Sequence, residues 1–345
     1  VVIITGHIDS RVSDVMDFTK DAPGANDDAS GTAAVLEAAR VLSQRKFPGT
    51  IVYAALSGEE QGLHGGKIMA DYAKAQGWNV VANLNNDIIG NSCGSDGVCN
   101  DKVVRVFSEG PRWQGREDLA ARQRSLGGEN DAPSRNLSRF LDTLAERLPA
   151  IGLDVMQVWR NDRFGRGGDH TEFLNAGYPA VRFSVAVENY NHQHQDLRTE
   201  GGVEYGDTID KMDFPYLTKV VKLNVAALAA LASAPPPPTD LKVEGAVSTD
   251  TEVCWAYAEG ATNYVVRWRR TDANRWSETS IVPAFPPEHD NMNVSDCKKL
   301  KGIRVDDWVF GVSSVSKDGF ESPVAAAVPG GAFKPYVAPP PPAQN

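Results

Sequence analysis

A run of six apolar residues at positions 51–56, Ile-Val-Tyr-Ala-Ala-Leu, constrains the fold most strongly, because a strand that is apolar throughout is expected to be buried on both faces. Similar short runs occur at 1–4, 80–84 and 180–185, and helical patterns lie between several of them. This alternation predicts a mostly parallel sheet covered by helices on both faces. The first part of the chain is therefore expected to be an α/β protein, a three-layer α/β/α sandwich with a mostly parallel mixed sheet.

Several of these strands run directly into acidic or imidazole side chains. His7 follows the first strand, Glu59 and Glu60 follow the second, and Asp87 follows the third. Ligands of open α/β sheets bind beyond the carboxyl ends of the strands. We therefore expect these side chains to gather at one edge of the sheet, where a ligand would bind.

Two adjacent carboxylates, Asp27 and Asp28, precede a helix that the apolar periodicity predicts from about Thr32 to Ser43. One side-chain oxygen near the first free N–H groups is enough to cap a helix, and Asp28 or Ser30 supplies it. The second carboxylate is then left over. Taken alone, such a pair is typical of a polar turn, and the other polar strand ends are what favour a functional role.

Five side chains in this part of the chain have the types that zinc prefers, two imidazoles and three carboxylates. They are His7, Asp27, Glu60, Asp87 and His194. Such a set suits two zinc ions that share one bridging carboxylate and keep an open position for water. Each residue taken singly is more often a hydrogen-bonded turn residue, so the hypothesis depends on the set.

The neighbouring residues Glu59 and Glu60 allow two roles at one strand end. Successive residues after a strand point in different directions, so one carboxylate can bind a metal while the other acts as a general base. The alternative is a solvated acidic pair at the start of a helix, where the helix dipole favours negative charge. Both interpretations stay open at this level.

Four consecutive prolines at 235–238 mark a domain boundary, because they cannot continue a helix and form a stiff extended spacer. The predicted domains are 1–233, with the linker at 234–238, and 239–333. The second contains short alternating strands without a helical period, which predicts a small all-β sandwich. Another proline run lies in the tail, residues 334–345, and suggests a linker to a further segment.

The composition argues against some functions and indicates a compartment. The 345 residues carry a net charge of −10, which argues against nucleic acid as a partner because that function needs a basic face. No apolar run approaches the roughly 18 residues that a membrane span needs. The four cysteines form two local pairs, Cys93 with Cys99 and Cys254 with Cys297, and neither pair has the spacing of a zinc knuckle. Two disulfides are expected, in a secreted or periplasmic protein.

Four motifs, in order along the chain, resemble those of the M28 family of two-zinc aminopeptidases. They are His-Ile-Asp-Ser at 7–10, Gly-Ala-Asn-Asp-Asp-Ala-Ser-Gly at 24–31, Ser-Gly-Glu-Glu-Gln-Gly-Leu at 57–63 and Asn-Asp at 86–87. The resemblance covers residues 1–233. It implies an α/β/α sandwich that removes the N-terminal residue from peptides, so the expected partners are peptide or protein N-termini.

The resemblance also implies how the candidate ligands are shared between two zinc ions. His7, Asp27 and Asp87 would hold one ion. Asp27, Glu60 and His194 would hold the other, with Asp27 as the bridge between them.

Three further expectations follow from the resemblance. Glu59 would be the general base that takes a proton from the attacking water and returns it to the leaving amine. Asp9 would fix the tautomer of His7. The peptide bond between Asp27 and Asp28 is expected to be cis.

The last ligand departs from the family pattern, in which an Asp-Thr pair follows the histidine closely. Here His194 is separated from Asp207 by what resembles an insertion, and His192 is the alternative ligand. Asp207 is a candidate support for the site. Asp169 and His170 also resemble a motif near the cleft, although capping of a helix by Asp169 accounts for them equally well.

The C-terminal domain resembles a fibronectin type III module, mainly in its size and strand pattern. Trp255 and the strands around Tyr264 and Phe310 are the matching features. The resemblance implies that this module binds a surface or another protein, and that Cys254 and Cys297 tie it internally.

The leading hypothesis is a secreted zinc aminopeptidase. A carboxypeptidase or a glutaminyl cyclase remains an alternative, because related enzymes reuse the same ligand frame. A non-catalytic binding or adhesion protein is a further alternative, although neither glutamate and no ligand is missing. Arg182 and Arg166 near the expected cleft favour an acidic substrate residue or a carboxylate, unless they are solvated surface residues.

Overall fold

The computed structural model describes residues 1–110, 127–286 and 295–327. The whole predicted tail at 334–345 lies outside these residues. The elements of the first part are β1 (Val2–His7), α1 (Ala29–Leu42), β2 (Ile51–Leu56), α2 (His64–Ala75), β3 (Ala82–Asn86), β4 (Val103–Phe107), α3 (Pro133–Arg147), β5 (Asp154–Val158), α4 (His170–Asn175), β6 (Ala180–Val185), β7 (Arg198–Glu200), β8 (Val203–Tyr205) and α5 (Phe214–Ser233).

A six-stranded sheet forms the centre of this part, in the order β2-β1-β3-β6-β4-β5. The first four strands in that order are parallel neighbours. β4 pairs with β6 in the antiparallel direction and with β5 in the parallel direction. The sheet is therefore mixed but mostly parallel, as the alternation of strand and helix predicts.

Helices cover both faces of this sheet. α1, α3 and α5 share one core with Val2 and Ile4 of β1. α2 and α4 share a second core with Ile3, on the opposite face. Because successive side chains of a strand point to opposite faces, β1 contributes to both cores. The fold is the three-layer α/β/α sandwich expected from the sequence.

The burial of β2 differs from the expectation. β2 is an edge strand, most of its side chains are only half-buried, and Ala55 is exposed. An edge strand has a neighbour on one side only, so helices need not cover it fully. A wholly apolar run thus indicates a strand but does not distinguish a central strand from an edge strand.

Element boundaries follow the sequence patterns unevenly. β6 coincides with the strand predicted at 180–185. α1 begins at Ala29 rather than at Thr32, because the Asp28 carboxylate accepts a hydrogen bond from the Gly31 N–H at 3.0 Å and caps the helix. Polar caps extend a helix beyond its apolar stripe, and periodicity alone does not detect that extension.

α5 is the helix, among the described residues, that is long and apolar enough to cross a membrane by length and composition. The expectation from the sequence considered only uninterrupted apolar runs, and Lys219 and Lys222 interrupt the run in this helix. The mean hydropathy of the whole helix is nevertheless that of a possible membrane span. The helix packs against α1 and β1, and Val220 and Leu228 belong to the main core. It therefore has the packing of a core helix.

The C-terminal part consists of two antiparallel sheets. Its strands are β9 (Lys242–Glu244), β10 (Thr251–Ala256), β11 (Asn263–Arg270), β12 (Glu278–Pro283), β13 (Ser295–Leu300), β14 (Trp308–Val315) and β15 (Ala325–Ala326). One sheet has the order β13-β10-β9 and the other β12-β11-β14-β15. Trp255 of the first sheet meets Tyr264 of the second edge-to-face, with ring centroids 5.2 Å apart, so the two sheets enclose one core.

Both expected disulfides are present. Cys254 and Cys297 are register partners on β10 and β13 and are bonded across that sheet. Cys93 and Cys99 close a short loop between β3 and β4. Within the described residues all cysteines are paired.

The sandwich packs against α3 and the residues that precede it. Arg269 of β11 donates two hydrogen bonds to the carboxylate of Asp131, both at 2.7 Å, and both side chains are buried. Arg275 contacts Asp142 of α3 at 3.2 Å. The hydroxyl of Ser314 donates to the carbonyl of Pro236 at 2.6 Å, which fixes the proline segment onto β14. A buried ion pair therefore lies at the centre of the contact between the two parts.

Candidate metal centre

His7 is the last residue of β1 and is buried. Its Nδ1 lies 2.9 Å from the backbone carbonyl oxygen of Asp9. Because a carbonyl only accepts, Nδ1 carries the proton and Nε2 has a free lone pair. Nε2 lies 3.3 Å from Oδ1 of Asp27 and 3.9 Å from Oδ2 of Asp87. The ring is thus held in the tautomer that presents Nε2 to the carboxylates.

Asp9 sets this tautomer through its backbone rather than through its side chain. Its carboxylate is 3.7 Å from Nδ1 of His7, which is too long for a hydrogen bond. The carboxylate instead accepts hydrogen bonds from the N–H groups of Gly58 at 2.8 Å and Glu60 at 3.1 Å. Asp9 therefore connects the end of β1 to the loop that carries Glu59 and Glu60.

The two carboxylates before α1 have different environments, and the peptide bond between them is cis, as expected. Oδ1 of Asp28 accepts hydrogen bonds from the N–H groups of Gly31 at 3.0 Å and Ile88 at 3.2 Å. Oδ2 of Asp28 accepts from the N–H of His7 at 3.0 Å. Asp28 thus joins three chain segments, and the Asp27 carboxylate is the one that remains for the site.

Asp207 supports the same turn from the far end of the domain. Its carboxylate accepts hydrogen bonds from the N–H groups of Asn26 at 2.9 Å and Asp27 at 2.7 Å. The two-stranded hairpin of β7 and β8 lies between His194 and Asp207. This hairpin occupies the stretch that resembles an insertion in the sequence, and it returns the chain so that Asp207 reaches the site.

The five candidate ligands lie together at the carboxyl edge of the sheet, with Asp27 at their centre. Oδ2 of Asp27 is 3.0 Å from Nε2 of His194, which in turn is 3.2 Å from Oε1 of Glu60. Oδ1 of Asp27 faces His7. His192, the alternative ligand, belongs to neither of the ligand groups found among the described residues.

Two groups of three side chains have ligand atoms within 4.8 Å of one another. One group is Asp27, Glu60 and His194, as the resemblance implies. The other contains Glu59 together with His7 and Asp87, where Asp27 was expected in place of Glu59. Asp27 nevertheless borders this group through Oδ1, which lies 3.3 Å from Nε2 of His7.

Asp87 is held by a buried arginine. Nη2 of Arg182 lies 2.6 Å from Oδ1 of Asp87, and Nη1 lies 3.3 Å from Oδ2 of Asp162. Arg182 is fully buried, so it orients Asp87 and is not the solvated or substrate-facing residue considered from the sequence. Asp162 was not detected in the sequence, since it belongs to no motif and reaches Arg182 only through the fold.

The electrostatics of the cluster reflect many carboxylates in a buried space. Burial, reinforced by the Asp87 carboxylate, raises the pKa of Glu59 to about 8. Burial alone would lower the pKa of His194, but its contacts with Asp27 and Glu60 outweigh this and raise the pKa to about 9. Negative charge is thus in excess among the side chains of the cluster.

The residues present fit metal ions. Nε2 of His7 and Oε1 of Glu60 are buried atoms without a hydrogen-bond partner among the described residues. Buried polar atoms are otherwise nearly always paired, so these two atoms suit the binding of a cation. Imidazole nitrogen and carboxylate oxygen are the donor types of zinc sites, and a bound dication reverses the electrostatic balance described above.

Asp169 supports the neighbouring helix and does not cap its own. It precedes α4, but its Oδ1 accepts a hydrogen bond from the N–H of Gly66 at 3.0 Å, in the first turn of α2. His170 is fully buried and its Nε2 donates to the carbonyl of Asn161 at 3.0 Å. Asp169 therefore connects the start of α4 to the first turn of α2.

An α/β/α sandwich with imidazole and carboxylate groups at the carboxyl edge of its sheet defines the general class, an α/β protein with a candidate two-metal centre. Residues 1–200 match the model of peptidase family M28. The chain is 43% identical over 338 residues to a probable zinc metalloprotease of Leptosphaeria maculans, covering 96% of this chain and 74% of the relative. A probable zinc metalloprotease of Pyrenophora tritici-repentis is 41% identical over 340 residues, covering 96% and 67% respectively. The chain therefore belongs to peptidase family M28.

A comparison with solved structures matches the LapA aminopeptidase of Legionella pneumophila, with a TM-score of 0.48 and 24% sequence identity. The match covers 67% of this chain and 50% of that chain. This chain thus matches about half the length of the Legionella structure.

Proposed function

We propose that the chain is a secreted or periplasmic aminopeptidase that binds two zinc ions and removes the N-terminal residue from peptides or proteins. Membership of a peptidase family supports the reaction class, and the names of the relatives support zinc. Zinc bound at such a site is a Lewis acid that lowers the pKa of water and polarises the scissile carbonyl.

The observation that carries the proposal is the position of Asp27. Its two oxygens face different imidazoles, with Oδ1 at 3.3 Å from His7 and Oδ2 at 3.0 Å from His194. A carboxylate whose two oxygens face different imidazoles suits a bridge between two ions. His7 and Asp87 complete one side, and Glu60 and His194 complete the other.

Glu59 is the general base in this proposal. It lies in the same cleft as the ligands and close to the group of His7 and Asp87. Its carboxylate accepts a proton from the attacking water and returns it to the leaving amine. Asp9 positions this glutamate, because it holds the N–H groups of Gly58 and Glu60 on either side of it.

The two glutamates can be separated experimentally by measuring zinc content and hydrolysis together. We expect the zinc-loaded chain to hydrolyse aminoacyl-p-nitroanilides, to lose this activity with a chelator and to regain it with zinc. Glu59→Gln should retain two zinc ions by elemental analysis and lower kcat by about 10²- to 10⁴-fold, the usual contribution of a general base. Glu37→Gln is the matched control and should change neither value, because this α1 glutamate pairs with Arg40, is 42% exposed and does not line the cleft. Loss of zinc in Glu59→Gln would instead make Glu59 a ligand.

Blocked substrates distinguish the alternatives on the same fold. An aminopeptidase should not cleave a peptide whose N-terminus is acetylated. Cleavage of an acetylated peptide from its free C-terminus would indicate a carboxypeptidase. Release of ammonia from peptides that begin with glutamine would indicate a cyclase, and no turnover with two zinc ions bound would favour the non-catalytic adhesion protein.

The proposal also covers the compartment of the protein and the function of its C-terminal sandwich. The two disulfides support an oxidising compartment. The two facing antiparallel sheets with Trp255 between them support a fibronectin type III-like module, which we propose binds a surface or another protein. Mass spectrometry of the protein with and without reduction tests the disulfides in the native source.

A further inference from the structure

The wall of the cleft opposite the ligand cluster is cationic. The cleft has a volume of about 260 Å³ and is lined by Arg163 and Arg166 as well as by Glu59, Glu60 and Asp87. Arg163 and Arg166 lie in the loop between β5 and α4, so they reach the cleft from a different segment than the ligands do. Ligands and arginines therefore face the same small space.

The carboxylates that contact these arginines do not balance their charge. Glu188 is shared by three guanidinium groups, those of Arg105 at 2.5 Å, Arg166 at 2.8 Å and Arg163 at 3.6 Å. The other carboxylate in contact with Arg163 is Asp162, which also contacts Arg182. Positive charge is thus left over on this wall.

Burial and the nearby Arg163 both lower the pKa of Arg166, which fits a guanidinium without a full counter-charge.

The two arginines also have unused donors. Arg163 has only 8% of its side chain exposed, and its Nη1 makes no hydrogen bond among the described residues. The hydrogen bonds that Arg166 makes within the described residues, to Glu188 and Gln193, both leave from Nη1. Nη1 of Arg163 has only the ion pair with Glu188 at 3.6 Å, and Nε and Nη2 of Arg166, whose side chain is 30% exposed, have no partner among the described residues. A ligand with acceptor oxygens would therefore be stabilised here.

Resting on the function proposed above, we propose that Arg163 and Arg166 bind a carboxylate of the substrate next to the scissile bond. The planar guanidinium fork matches a carboxylate, and a peptide offers that group in two places, an acidic side chain at its N-terminal residue or a nearby free C-terminus. Both sources present the same chemistry to the wall. N-terminal lysine should be disfavoured, because its ammonium group would meet like charge.

The test compares ligands that differ by a single carboxylate, in the zinc-loaded chain. Calorimetric titration with L-glutamate and L-glutamine isolates an acidic side chain. Titration with Leu-Leu and Leu-Leu amide, in a Glu59→Gln background that suppresses turnover, isolates a C-terminal carboxylate. In one of these two pairs, we expect the ligand with the additional carboxylate to bind about 10- to 100-fold more tightly than the other ligand. This is the usual size of a hydrogen-bonded charge contact.

Substitutions then assign that difference to the arginines. Arg166→Gln should abolish it, while affinity for the uncharged member of the pair stays unchanged. Arg160→Gln is the matched control, since Arg160 is exposed in the same loop, stacks on Phe164 and does not line the cleft. Arg163→Lys keeps the charge beside Asp162 but lacks the fork, so it should reduce the difference without unfolding the protein.

Equal affinities within both pairs, or a difference that persists in Arg166→Gln, would overturn the proposal. Dependence on the glutamate pair assigns an acidic N-terminal residue, and dependence on the dipeptide pair assigns a C-terminal carboxylate. These titrations measure binding. An absence of hydrolysis would therefore refute the proposed function and leave the result for the arginines standing.

Discussion

At the scale of single residues, the two neighbouring carboxylates of the cis turn have different tasks. Both oxygens of Asp28 accept hydrogen bonds from backbone N–H groups, those of His7, Gly31 and Ile88. Asp27 directs its oxygens to the two imidazoles. Asp28 therefore serves the fold, and Asp27 serves the candidate metal centre.

This division predicts opposite effects of two similar substitutions. Asp28→Asn places an amide N–H₂ against backbone donors, so a buried donor loses its acceptor, and we expect it to lower the free energy of unfolding by about 1–3 kcal/mol. Asp27→Asn should lower the free energy of unfolding by less, because this substitution removes one negative charge from a crowded cluster of carboxylates. Urea denaturation with a chelator present measures both without a contribution from metal. Equal destabilisation by the two would contradict the division.

The zinc content of the Asp27→Asn and Asp28→Asn variants tests the same division of tasks, with the opposite order of effects. Asp27→Asn should reduce the zinc content per chain, since the residue borders both ligand groups. Asp28→Asn, where it folds, should retain zinc, because its carboxylate is turned towards backbone N–H groups and not towards the imidazoles.

At the scale of secondary-structure elements, the loops after the strands are tied to each other by buried carboxylates and by close backbone contacts. Asp9 joins the end of β1 to the loop after β2, and Asp207 joins the hairpin side of the site to the turn before α1. Gly31 in α1 lies against β3 so closely that an added Cβ would be 2.2 Å from the carbonyl oxygen of Asn86. The site thus depends on contacts between elements that are distant in sequence.

The role of Asp9 predicts a loss of activity without a loss of fold. Asp9→Ala removes the acceptor for the N–H groups of Gly58 and Glu60, so the loop with Glu59 loses its fixed position. We expect kcat to fall by about 10- to 100-fold, as for residues that orient metal ligands. Asp14→Ala, an exposed carboxylate in the same loop, should leave kcat unchanged. The tautomer of His7 should survive in Asp9→Ala, because the carbonyl that sets it remains, and a histidine NMR spectrum checks this.

The sequence predicts elements and strand ends better than it predicts the contacts between them. The apolar run at 180–185 located β6 to the residue, and the motifs named four side chains that lie close together in the structure, His7, Asp27, Glu60 and Asp87. The edge position of β2 was not predictable, because an apolar run does not record which strands lie beside it. The carbonyl contact of Asp9 and the pairing of Arg182 with Asp87 were also missed, because both depend on the path of the backbone in three dimensions.

At the scale of the whole molecule, ion pairs as well as the proline linker attach the sandwich to the α/β part. Asp131 and Arg269 form a buried, two-bond ion pair, and Arg139 of α3 approaches the same carboxylate at 3.4 Å. Arg275, whose side chain is 61% exposed, forms a second contact at the surface, with Glu146 and with the buried Asp142. Buried pairs are far more sensitive to the loss of one partner than exposed pairs are.

The two kinds of contact predict a graded series of stabilities. Asp131→Ala leaves Arg269 buried and without its main counter-charge, so we expect it to lower the free energy of unfolding by about 3 kcal/mol. The combination Asp131→Leu with Arg269→Met removes both charges and should cost less than the single substitution, because apolar groups of similar volume often replace a buried pair without loss. Arg275→Ala, at the exposed contact, should cost about 0–1 kcal/mol.

Urea denaturation followed by circular dichroism measures this series and also tests how the two parts are coupled. In the native protein the buried pair links them, so a single transition is expected. In Asp131→Ala the sandwich should unfold separately and give a second transition, while the zinc content of the α/β part stays the same. An Asp131→Ala protein with the stability and single transition of the native chain would show that the ion pair does not hold the two parts together, and that the proline segment anchored by Ser314 is sufficient.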